Sequence, residues 1–175
     1  METKIEGIVR LESPAHADER GFFKEVLRFG ALGKETGKSF IPKQVNHAHS
    51  TKNTLRGIHV APWNKIIYVV KGKVQVVIVD CRTESANYGK YESFMLGDDN
   101  RMALFVPAGL GNSYLVLSEE ADYVYITDEE WSPGREKDVR WNDKDLNINW
   151  QTDAKPFLSK RDQESPPFSA IFPKS

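Results

Sequence analysis

Short apolar runs, rather than helical stripes, organise the middle of the chain. Lys65-Ile66-Ile67-Tyr68-Val69-Val70 and Val74-Gln75-Val76-Val77-Ile78-Val79 are β-branched runs joined by Lys71-Gly72-Lys73, a spacing that predicts a hairpin. Further runs at 94–96, 102–106, 114–117 and 123–126 are separated by Gly, Asp, Asn, Pro and Ser. Many short strands at this spacing predict an all-β sandwich or barrel. The best helix candidate is Phe29–Thr36, kept short by Gly30, Gly33 and Gly37. After Trp131 the chain turns polar, with isolated anchors at Trp141, Leu146, Ile148 and Trp150, and reads as a tail wrapping over the β-core. No internal repeat, low-complexity segment or boundary interrupts residues 1–175, so a single domain is expected.

Composition narrows the function classes. The 175 residues carry 24 Lys plus Arg against 25 Asp plus Glu, with no broad basic stripe, which argues against a nucleic-acid partner but leaves cations enough for a small phosphorylated ligand. Nine Phe, six Tyr and four Trp within a 39% hydrophobic chain suffice for a packed core. No apolar stretch approaches the roughly 18–20 residues of a membrane helix. Met1-Glu2-Thr3-Lys4 lacks the apolar centre of a secretory signal, so a cytoplasmic protein without membrane partners is expected. The single cysteine, Cys81, ends an apolar run and reads as a small core residue.

Only His16, His47, His49 and His59 offer imidazoles. His47 and His49 share a face if their segment is a strand, and both could then reach one metal. Such a site needs a Glu a few residues on and a third His after a later Pro-x-Gly turn. Asn53 and Thr54 stand where the Glu is needed, and Pro107-Ala108-Gly109-Leu110-Gly111-Asn112 ends in Asn. No metal or other cofactor is therefore expected; one of the two histidines is expected to face in and the other to sit at a surface or pocket rim. His59, in Thr54-Leu55-Arg56-Gly57-Ile58-His59 shortly before Lys65, is either a hydrogen-bonded structural histidine or a base near neutral pH. A His, a Lys and an Arg together suit enolate chemistry, in which cations hold developing charge and phosphate.

The ordered set Asp18-Glu19-Arg20-Gly21-Phe22-Phe23-Lys24-Glu25, Gln44-Val45-Asn46-His47, Leu55-Arg56-Gly57-Ile58-His59, Val79-Asp80-Cys81-Arg82, Val106-Pro107-Ala108-Gly109, Trp141-Asn142-Asp143 and Leu158-Ser159-Lys160-Arg161-Asp162 resembles the dTDP-4-dehydrorhamnose 3,5-epimerase family from about residue 5 to residue 162. The resemblance implies a metal-independent cupin: a jelly-roll β-sandwich with short flanking helices and a C-terminal wrapping tail, working as a homodimer with a shared active site. It also implies an isomerase that inverts carbons flanking the 4-keto group of a nucleotide-linked sugar.

By that resemblance His59 falls on the base, Asp162 on the carboxylate that orients it, Lys65 on the lysine beside the keto oxygen and Tyr125 on the proton-donating tyrosine. Arg56 falls on the substrate and diphosphate arginine and is expected on the strand face of His59. Arg20 and Glu25 fall on positions that approach the nucleotide across the dimer, and Gln44, Asn46 and Asn112 on substrate-contacting pocket positions. Three departures stand out. The segment Val60-Ala61-Pro62-Trp63-Asn64 is shorter than usual, and Trp63 is expected to reshape the pocket floor. Trp131, counted with the substrate contacts, replaces a tyrosine. The common Gly-Phe-Ala-His-Gly-Phe reads Gly109-Leu110-Gly111-Asn112-Ser113-Tyr114. An epimerase of a 4-keto-6-deoxy sugar acting at C3, C5 or both is the leading expectation. The alternatives are a catalytically silent sugar-nucleotide-binding cupin and a single-site epimerase of a GDP-linked or seven-carbon sugar.

Overall fold

The computed structural model describes residues 3–37 and 39–174; Met1 and Glu2 of the N-terminal stretch read above lie outside them. Two five-stranded antiparallel sheets form the body. The first runs β1 (Val9–Leu11), β9 (Ala103–Val106), β6 (Lys65–Lys71), β11 (Glu120–Thr127), β4 (Gln44–Thr51). The second runs β12 (Lys137–Asp138), β5 (Leu55–Val60), β10 (Leu110–Val116), β7 (Lys73–Asp80), β8 (Tyr91–Gly97). A separate two-stranded arm, β2 (Ala15–Asp18) with β3 (Gly21–Lys24), leaves the body, and the helix α1 (Phe29–Thr36) forms where the sequence predicts it.

The predicted hairpin between β6 and β7 does not form. β6 pairs with β9 and β11, whereas β7 pairs with β10 and β8 in the other sheet. The reason lies in the two apolar faces of β7. Val74, Val76 and Ile78 meet Ile67, Val69, Leu104, Val106 and Tyr123 between the sheets, while Val77 and Val79 face outward onto Val139, Leu146, Phe168 and Phe172 of the tail. A strand buried on both faces belongs in the middle of a covered sheet. Gly72 makes the crossing: its φ is +86°, and a Cβ there would stand 2.2 Å from the Glu120 carbonyl oxygen.

The tail therefore wraps as expected. Cys81 is buried in this outer layer, where burial pushes its thiol up to about 12, so it stays a neutral core side chain. A third cluster, with Leu32 of α1, Phe40, Ile66 and Phe105, covers part of the first sheet's other face. Sandwiched sheets with strands alternating between them form the jelly roll that the resemblance implied, with short helices at its flanks.

Candidate active site

The sheets open at one end into a cleft of about 410 Å³ lined by Gln44, Asn46, Ala48, Arg56, His59, Lys65, Asn112, Tyr114, Tyr123, Tyr125, Trp131, Glu136 and Arg161. Both sheets contribute. Gln44, Asn46 and Ala48 alternate along β4 toward the cleft, and Tyr123 and Tyr125 do so on β11, as the period of two requires.

Arg56 and His59 also share the cleft, which simple alternation forbids for residues three apart. On β10, Asn112 registers with His59 and Tyr114 with Arg56, so Gly57 and Ile58 stand opposite the single residue Ser113. This bulge restores the common face. It requires glycine: φ at Gly57 is +119°, and a Cβ would lie 2.5 Å from Ser113 Cβ and 2.8 Å from the Asn112 carbonyl oxygen.

Behind the cleft, His59 Nε2 lies 2.7 Å from Asp162 Oδ1. Asp162 is buried in α2 (Lys160–Glu164), where Ser159 caps the helix by accepting the Asp162 N–H and donates its own hydroxyl to Oδ2 at 2.8 Å. Burial pushes the Asp162 carboxyl up, but the hydrogen bonds and charge of His59, with Ser159, outweigh it and hold the carboxyl below its ordinary value. An ionised carboxylate only accepts, so His59 Nε2 is the donor of this hydrogen bond.

Lys65, buried at the start of β6, has its ammonium 3.7 Å from Glu136 Oε1 and over the Tyr125 ring at 5.8 Å. Burial lowers its pKa, and Glu136 opposes that. Glu136 Oε2 also accepts from Arg161 at 3.1 Å and from the Trp131 indole at 3.3 Å, and Arg161 clasps Asp138 at 2.6 and 2.8 Å. Arg56 donates to Ser50 Oγ at 3.1 Å. Three cations thus converge on the cleft.

Three tyrosines line it too, but their hydroxyls differ. That of Tyr114 meets Ser50 Oγ at 3.3 Å and that of Tyr123 donates to Asn112 Oδ1 at 3.3 Å, whereas the Tyr125 hydroxyl has no hydrogen-bond partner among the described residues. Burial, first, and the Glu136 charge raise its pKa, so it remains a phenol with a proton to give.

Of the expected site residues, His59, Lys65, Tyr125, Gln44, Asn46, Arg56, Asn112 and Trp131 line the cleft and Asp162 backs it. Arg20 and Glu25 do not reach it in their own chain. Arg20 is exposed and pairs with Asp18 at 2.5 Å, and Glu25 pairs with Arg28 beside a separate hollow. Trp63 corrects an expectation, because it is buried outside the cleft with the Arg135 guanidinium 5.4 Å over its ring. His47 and His49 correct another: both project from the outer face of β4, more than half exposed, and share Asp122 Oδ1 at 2.8 and 3.1 Å. Residues two apart on a regular strand cannot divide between faces. Sequence reading missed Glu136, Tyr114 and Tyr123. It also missed Arg161 and Ser159, although both sit in the Leu158-Ser159-Lys160-Arg161-Asp162 stretch that marked Asp162.

Known proteins resemble the chain over most of its length. Residues 2–170 match the model of the dTDP-4-dehydrorhamnose 3,5-epimerase family. A dTDP-4-dehydrorhamnose 3,5-epimerase of Streptomyces griseus is 39% identical over 93% of this chain and 82% of its own length. A dTDP-4-dehydro-6-deoxyglucose 3-epimerase of Streptomyces bikiniensis is 36% identical over 93% and 85%. The crystal structure of a 3,5-epimerase from Legionella pneumophila, in complex with dTDP-4-keto-L-rhamnose, superposes with a TM-score of 0.93 at 28% identity, covering 98% of this chain and 93% of that one. With the family model spanning nearly the whole sequence and a relative 39% identical over 93% of it, the chain belongs to the dTDP-4-dehydrorhamnose 3,5-epimerase family.

Proposed function

We propose that this protein is an isomerase that inverts C3, C5 or both in a dTDP-linked 4-keto-6-deoxy sugar. The observation that carries the reading is the His59–Asp162 pair at 2.7 Å, opening on the cleft that also holds Lys65 and the unpartnered Tyr125 hydroxyl. A carbon beside a ketone is acidic only if its enolate is stabilised. His59 removes the proton, and Asp162 holds the resulting imidazolium. The Lys65 ammonium supports the charge that moves onto the ketone oxygen. Tyr125 returns a proton to the other face; the ketone reforms with the centre inverted, and no redox partner is needed. Arg56 and Arg161 supply charge for the diphosphate, with Gln44, Asn46, Asn112 and Trp131 as further substrate contacts.

The test is incubation with dTDP-4-keto-6-deoxyglucose in deuterated water. Deuterium at a carbon flanking the ketone supports the reading, and its absence in folded protein that binds the ligand supports a silent binding cupin instead. Inversion at one carbon only is the second reading, favoured by the similarity to a 3-epimerase at 36% identity.

The same reading includes a homodimer. Arg20 and Glu25 lie away from their own cleft, and Phe22 and Phe23 on the same arm are 51% and 74% exposed, an apolar surface suited to a neighbouring subunit. Light scattering tests this, with a monomer as the refuting result. The charged diphosphate of the substrate fits an enzyme working in the cytoplasm, and the whole chain acting as one cupin domain belongs to this reading as well.

A further inference from the structure

Two carboxamides in the cleft are used by the protein in the same lopsided way. The Asn46 oxygen accepts from Gln44 Nε2 at 2.8 Å, and the Asn112 oxygen accepts from the Tyr123 hydroxyl at 3.3 Å. In both, the Nδ2 group is buried and has no partner among the described residues. A buried donor without an acceptor is costly, so cleft-lining donors left bare in this way select a ligand that brings acceptor oxygens. For Asn46 the orientation follows from the backbone: the Trp131 N–H can only donate, so Gln44 turns its oxygen to Trp131 and its NH2 to Asn46.

For Asn112 the orientation depends on Tyr123. That phenol is 1% exposed, stacks on Tyr114 with ring centroids 4.0 Å apart, and has Asn112 as its one hydrogen-bond partner among the described residues. With the phenol donating, only the amide NH2 is left unpaired. The flipped amide would strand both the phenol proton and the amide oxygen, which is the worse outcome. Burial also pushes the Tyr123 pKa well up, so the phenol stays a donor. Asn112 registers directly with His59 across the β10–β5 pair, and both residues line the cleft.

We infer that Tyr123 is a positioning residue that locks the Asn112 amide as a donor to an oxygen of the substrate's sugar ring. The inference rests on the reading of the cleft as a dTDP-hexose site. The sugar, rather than the diphosphate, is the acceptor because this neutral amide belongs to the residue in register with His59, while the cations Arg56 and Arg161 answer the phosphates.

The experiment compares binding of dTDP and of dTDP-quinovose by calorimetry in wild type, Asn112→Ala, Tyr123→Phe and the double variant, with thermal melts to establish folding. Each single change should weaken dTDP-quinovose about 5- to 20-fold while leaving dTDP within about twofold. The double variant should be no worse than Asn112→Ala, because Tyr123 acts only through the amide. Equal weakening of both ligands, or additive losses in the double variant, overturns the inference. Tyr123→Phe removes one oxygen from the core, so it keeps the test open if Asn112→Ala fails to fold. Wild type that binds dTDP and not dTDP-quinovose overturns the underlying reading of the site, and the inference with it.

Discussion

Arg56 and His59 face the same cleft because Gly57 and Ile58 bulge against the single residue Ser113. One extra residue in β5 thus puts a guanidinium and an imidazole on one wall, although their spacing in a regular strand would separate them.

Gly57→Ala should therefore damage both stability and activity. The added Cβ would adopt a positive φ and collide with Ser113 and the Asn112 carbonyl. A loss of more than about 1 kcal/mol in urea unfolding is expected, together with reduced turnover as Arg56 and His59 shift. Wild-type stability in this variant would mean that the bulge relaxes easily.

His59→Asn should lower turnover by roughly 10²–10⁴-fold, the usual contribution of a positioned base, with the fold intact. Circular dichroism and single-turnover kinetics check it. Near-normal turnover would remove His59 from the chemistry.

Lys65→Met should reduce kcat by about 10²–10³-fold, since among the described residues no other ammonium lies against Tyr125 to hold the enolate oxygen. The same variant leaves Glu136 with Arg161 and the Trp131 indole, so folding should survive. Unchanged kcat with raised KM would assign Lys65 to binding alone.

The lowered pKa of Asp162 makes its contribution to stability acid-sensitive. Below the ordinary value of 3.8 the unfolded chain takes up the proton while the folded chain still resists it, so stability falls as pH falls through the lowered pKa. The stability gap between wild type and Asp162→Asn should be present at about pH 5 and shrink toward about pH 3. A gap unchanged over that range would contradict the assignment.

Trp131, held by Glu136 through its indole and by Gln44 through its backbone, lines the same cleft as Tyr125. One of the two carbons is expected to exchange deuterium well ahead of the other, and Trp131→Tyr to reduce the difference. Tyr125→Phe should slow inversion more than proton removal, because the enolate can return its proton to the original face. Equal exchange at C3 and C5 in wild type would show that Trp131 imposes no restriction.

By itself the sequence determined the local elements: the short apolar runs that become β6 to β11, the short helix at Phe29–Thr36, the anchoring of the tail by Leu146, and the core role of Cys81. Each depends on contiguous residues whose period or composition has one local solution. The family resemblance carried by the ordered motifs also singled out His59, Asp162, Lys65 and Tyr125, side chains of the types that enolate chemistry requires. Only the tertiary structure decided which strands pair. A glycine turn between β6 and β7 serves a hairpin and a sheet-to-sheet crossing equally well, and burial on both faces of β7 selected the crossing. It likewise put His47 and His49 together on an outer face, moved Trp63 out of the cleft, and joined Glu136 and Arg161 to Lys65. These outcomes depend on contacts between residues distant in the chain, where one bulge reverses a face and one packing layer changes a partner, and no local pattern records either.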